Sequence, residues 1–92
     1  MAFIIYADGE YQHLKTQGKE VTLEEAQAVV GGYVEVVPLE GYPLLLVNEN
    51  GIGEGLEVNQ EASRIALTRG QRHILLGNVL VIQRGEGWDE HS

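Results

Sequence analysis

A chain of 92 residues has room for one domain, and with 43% hydrophobic and 22% charged residues it is globular rather than disordered or fibrous in composition. The absence of cysteine excludes disulfides, thiolate metal sites and cysteine nucleophiles, and no apolar run approaches the length of a membrane span, about 20 residues. Fourteen acidic residues against six Lys and Arg, a net charge of −8, argue against general nucleic-acid binding, which depends on cations that neutralise phosphates.

Residues 2–7 are apolar, aromatic and β-branched, and Asp8-Gly9 follows at once. That dipeptide predicts a type I′ hairpin turn, with Glu10 to Gln17 as the return strand at a sheet edge. Thr22-Leu-Glu-Glu25 is a capping box, and Leu23, Ala26, Val29 and Val30 recur at helical spacing before Gly31-Gly32. A helix over 23–30 follows. Val34 and Val36 alternate with Glu35, which predicts a strand through 33–38, ended by Pro38. After a turn at 40–43, Leu44 to Val47 is continuously apolar and reads as a strand buried on both faces. Asn48 to Gly55 is a loop, and Asn59 caps a second helix over roughly 60–69, stopped by Gly70, with Ala62, Ile65 and Ala66 facing inward. Ile74 to Leu76 and Val79 to Ile82 form the last strand or pair of strands.

The expected order is β-β-α-β-β-α-β: a single small α+β domain over 1–84, mainly antiparallel, with two short helices on one face of the sheet. Residues 85–92 show no pattern and are expected to be a flexible tail. Neither a basic lead nor a long apolar stretch follows Met1, so no secretory leader is expected and the protein is placed in the cytoplasm.

From Val29 to Pro38 the chain reads Val-Val-Gly-Gly-Tyr-Val-Glu-Val-Val-Pro, following the Leu-Glu-Glu helix that starts at Leu23. Val47-Asn-Glu49, Gly51, the Asn59 that opens the second helix, and Gly77-Asn-Val-Leu-Val81 come after it in order. Across residues 20–82 this series resembles a family of small proteins and domains of unknown function encoded by bacteriophages, plasmids and their bacterial hosts. The resemblance implies a phage or mobile-element origin and a small-domain fold. It implies no activity and no catalytic residue.

The charges are unevenly distributed. Residues 1–61 carry eleven acids against Lys15 and Lys19, whereas Arg64, Arg69, Arg72 and Arg84 fall in a window without any acid, together with His73. Arginine presents a planar fork suited to carboxylate or phosphate, although pairing with the surplus carboxylates, nearby or across a subunit interface, is the more ordinary account of such a window. Tyr33 and Tyr42 could offer stacking faces beside that cluster, or simply complete a thin core.

Other motifs carry less. Gly51-Ile-Gly-Glu-Gly55 is flanked by Glu49, Glu54 and Glu57, which would repel phosphate, so it reads as a connection. His13, His73 and His91 share no ligand spacing, and no metal or cofactor is expected. Ser63 has neither a nucleophile elbow nor a histidine nearby in sequence.

Three functions remain. The first is a non-enzymatic binding or inhibitory protein, homo-oligomeric, whose acidic surface engages a basic host protein and antagonises host defence. The second is a sponge for a nucleotide-like signalling molecule, with Arg64, Arg69 and Arg72 on phosphates and Tyr33 or Tyr42 on a base. The third and weakest is a small enzyme using Glu35 and His73 as acid and base.

Overall fold

The computed structural model describes residues 2–16, 18, 20–70, 72–85 and 87–89. In chain order they form strands β1 (Phe3–Ile5), β2 (Tyr11–His13) and β3 (Glu20–Thr22), and helix α1 (Leu23–Val30). Strands β4 (Val34–Val36) and β5 (Leu44–Asn48), helix α2 (Gln60–Thr68), and strands β6 (Val79–Ile82) and β7 (Gly87–Asp89) complete the set. Five strands form an antiparallel sheet in the order β2-β1-β6-β5-β4, and β3 and β7 form a separate parallel pair. The α+β class and the mainly antiparallel sheet agree with the sequence, and among the described residues no helix is long and apolar enough to cross a membrane.

Both helices begin where their caps demand. The Thr22 hydroxyl accepts from Glu25 N at 3.1 Å, the Glu25 carboxylate accepts from Thr22 N at 2.9 Å, and Gly31 closes α1 at φ 79°. The Asn59 side chain accepts from Ala62 N at 3.0 Å at the start of α2. The hairpin differs in its turn. Gly9 is left-handed but Asp8 is not, and Gly9 N donates to Tyr6 O while Tyr6 N donates to Glu10 O, both at 2.8 Å. Ala7, Asp8 and Gly9 therefore make a three-residue connection in place of the expected type I′ turn, and the Asp8 carboxylate accepts from Glu10 N at 2.9 Å to hold it. The return strand is shorter than expected, Tyr11–His13, and Gln17 lies outside the described residues.

Expectation and structure part most clearly over the helices, which lie on opposite faces of the sheet. Side chains alternate along β5 and β6. Leu45, Val47, Val79 and Val81 pack with Ile5, Ala62 and Ala66 under α2, whereas Leu46, Leu80 and Ile82 pack with Ile4, Val21 and Ala26 under α1. Leu44 to Val47 and Val79 to Ile82 are apolar on every residue and need cover on both sides, and one helix supplies each.

The expected flexible tail is corrected for Gly87–Asp89, which pairs with β3 in the register Val21↔Trp88, placing Trp88 against the cluster under α1. Residues 90–92 lie outside the described set. Ile74 to Leu76 forms no strand beyond a single bridge between Leu76 and Val58, although Leu75 is buried under α2.

Asn59 is fully buried and spends its whole amide within the protein. Besides capping α2, its Nδ2 donates to Ile5 O and to Gly77 O, each at 2.8 Å, and its backbone N–H donates to Leu75 O at 2.7 Å. Replacing it by alanine would strand one amide and two carbonyls in the interior. Asn59→Ala is expected to cost about 3 kcal/mol in denaturant unfolding, against about 1 kcal/mol for Thr22→Ala at the half-exposed cap of α1.

Candidate functional site

The Gly-Gly-Tyr run after α1 builds one wall of a surface groove. Gly31 reverses the chain, and Gly32 lies so close to Asn48 that a Cβ there would come within 2.8 Å of Asn48 Nδ2. Tyr33 is then turned out to solvent, 72% exposed. Asn48, only 5% exposed, joins the parts. Its Nδ2 donates to Val30 O at 3.2 Å and to a Glu54 carboxylate oxygen at 3.3 Å, and its Oδ1 accepts from Asn50 N at 2.8 Å. Glu49 N donates to Tyr33 O at 2.9 Å. The end of α1, the start of β4 and the loop after β5 thus form one hydrogen-bonded unit.

Between them opens a groove of about 990 Å³. Glu24, Gln27 and Ala28 of α1 line one side, Tyr33 to Glu35 another, and Asn48 to Asn50 with Glu54 the third. Four carboxylates, Glu24, Glu35, Glu49 and Glu54, stand on these walls, all on exposed residues, and among the described residues no Lys or Arg lines the groove. Carboxylates, side-chain amides and an open tyrosine ring are suited to ammonium or guanidinium groups.

The residues expected to form an anion site are placed in three different settings. Arg64 lies on α2 and pairs with Glu61, its Nε donating to the carboxylate at 2.6 Å. Arg69, at the C-terminal end of α2, donates from its guanidinium to Tyr42 O and Glu40 O and fastens the turn before β5. Arg84 lies over the Tyr42 ring at 5.3 Å from its centroid. Arg64, exposed Arg72 and half-buried His73 border a mainly apolar hollow of about 550 Å³ with Leu67 and Ile74. Tyr33 and Glu35 belong to the acidic groove. Tyr42 is thus joined to Arg69 and Arg84, while Tyr33, the other expected stacking face, stands among carboxylates. Glu35 and His73 both border a further hollow of about 310 Å³, and His73 Nε2 is buried without a hydrogen-bond partner among the described residues.

Glu24, Glu49, Glu54, Gln27 and Asn48 are not candidate site residues on the sequence alone. The carboxylates are explained one at a time by capping and solubility, and only their convergence in space distinguishes them. Adjacency of Val47-Asn-Glu49 to the Gly-Gly-Tyr run is the signal that could have indicated it, since paired strands bring the two motifs together.

Two outcomes check this assignment. Arg69→Met removes the donors to two turn carbonyls and is expected to lower stability by about 1–2 kcal/mol, while Arg72→Ala stays within about 0.5 kcal/mol, both by thermal unfolding. Gly32→Ala forces the Asn48 amide to shift and is expected to cost about 1–3 kcal/mol, with the largest amide chemical-shift changes at Val30, Asn50 and Glu54.

Against known proteins, residues 1–92 match the model of the family described as Domain of unknown function (DUF3846), and the chain belongs to that family. The match agrees with the expected family of small proteins without assigned activity and extends over the whole chain. No curated protein and no solved structure matches.

Proposed function

For a chain of that family, we propose a non-enzymatic binding role: the groove between α1, β4 and the loop after β5 captures a basic segment of another protein. The observation that carries this reading is the set of four exposed carboxylates, with no lining cation among the described residues, beside an open tyrosine ring. Asn48, Gly32 and the β4–β5 pairing hold those walls in place before any partner arrives, which limits the ordering cost of binding. The surplus negative charge of the whole chain adds long-range attraction and speeds encounter with a cationic surface. A host protein in the cytoplasm as the target, an inhibitory outcome, and a phage or mobile-element gene as the source belong to the same proposal. They draw support from the motif series over residues 20–82.

The nucleotide-sponge reading has less support. Of the three arginines expected to hold phosphates, Arg64 is paired with Glu61 and Arg69 is spent on the turn carbonyls, which leaves Arg72, while Arg84 covers Tyr42, one of the two expected stacking faces.

Calorimetry of the full chain against Lys- and Arg-rich peptides tests the proposal, with nucleotides titrated in parallel. Binding of the basic peptides is expected to weaken about tenfold or more between low salt and about 0.5 M salt, where the screening length is only a few ångströms. The double reversal Glu35→Lys, Glu49→Lys is expected to weaken it at least as much while leaving the circular dichroism spectrum unchanged. Affinity indifferent to both salt and charge reversal, or heat from nucleotides alone, would overturn the reading.

A further inference from the structure

The groove runs beside an open sheet edge. β4 is the outermost strand of the five, with only β5 at its side. Tyr33 O accepts from Glu49 N, Val37 N donates to Leu45 O, and Glu35 stands opposite Val47. In an antiparallel ladder this alternation commits the backbone groups of residues 33, 35 and 37 to β5 and turns those of Val34 and Val36 outward. A row of outward-facing donors and acceptors is a template for another strand. Hollows flank it on both faces of the sheet: the acidic groove on the α1 side, and the hollow bordered by Val37, Pro38 and Ile52 on the other. Glu35 and Glu49 border both.

We propose that the basic segment binds in extended form as an added strand along β4, with the Lys or Arg side chains at every second position directed into the acidic groove on the α1 side. This rests on the reading of the groove given above and adds the manner of recognition: main-chain hydrogen bonds supply affinity, and the period-two placement of cations supplies selectivity. Charge decides between occupants. Two copies of this chain joined through β4 would set Glu35, Glu49 and their neighbours against their own counterparts in proteins of net charge −8, and like charges across a strand pair destabilise it. At the other outer strand, β2, the hollow is lined by Phe3, Tyr11, Gln12, His13 and Gln83, with no acid among these described residues.

The probe is a capped peptide of about eight residues alternating Lys and Val, long enough to lie along β4, together with the same peptide N-methylated at alternate backbone amides. N-methylation keeps the charges and removes the strand-forming donors. With the full, unaltered chain, the parent peptide is expected to bind at least about tenfold more tightly than the methylated one in anisotropy titrations, and to protect the Val34 and Val36 amides from hydrogen exchange. Equal affinity for both peptides, with those two amides still exchanging freely, would overturn strand addition while leaving the acidic groove as a charge-only site. Failure of both peptides to bind would overturn strand addition and the acidic-groove reading together.

Discussion

A primary amide sealed inside a small apolar core costs free energy unless its donors and acceptor are all matched, and Asn59 meets that condition by drawing three distant parts of the chain together. Its acceptor starts α2, one donated bond ends on β1 at Ile5, and the other fixes Gly77 at the entrance to β6. The surroundings are adapted to this. Gly77 sits at φ 76°, a left-handed conformation that favours glycine, and a Cβ there would press on the Leu56 side chain at 2.8 Å. Asn78 accepts from Ala7 N through its side chain and ties the first hairpin to the same point. With the β1–β6 register set here, β5 and the outer β4 follow by pairing, and so does the groove at the far edge.

Asn48 repeats the device on a smaller scale. It too is a nearly buried asparagine whose side chain bridges a helix end and a loop, but its partners include an exposed carboxylate, Glu54. One asparagine therefore serves the interior and the other the surface. A rigid rim of this type lets acidic side chains face solvent together without each having to be ordered on binding. The basic residues of the second half of the chain serve mainly the protein itself: Arg69 acts as a clasp on the turn before β5, and Arg84 shields Tyr42.

What could be read from the residues follows how local each signal is. Capping boxes and C-terminal glycines act within one turn, so α1 from Leu23 to Val30 and α2 from Gln60 to Thr68 are close to the spans the residues predict. β5 is announced by its own apolarity. β7 is not, because Gly-Trp-Asp becomes a strand only through β3, far away in sequence. The side on which each helix packs could have been inferred: Leu44 to Val47 and Val79 to Ile82 are apolar on consecutive residues, and one-sided cover would have left half of them wet. The site was the least accessible part. Arginines close together in sequence suggested convergence, yet Arg69 turned to a backbone and Arg64 to its own helix, while carboxylates spread from Glu24 to Glu54 gathered in space.

The chain holds a single tryptophan, and its position in β7 gives it a use as a built-in reporter. Trp88 packs against the cluster under α1, with its indole nitrogen buried, and β3, its pairing partner, ends at the threonine that caps that helix. Detachment of this last strand would wet the indole and shift its emission to the red at the same moment that the helix flanking the groove lost its anchor. Intrinsic fluorescence would thus follow the seating of one groove wall with no dye attached, and a cargo that bound only when that wall was seated would register in the same signal.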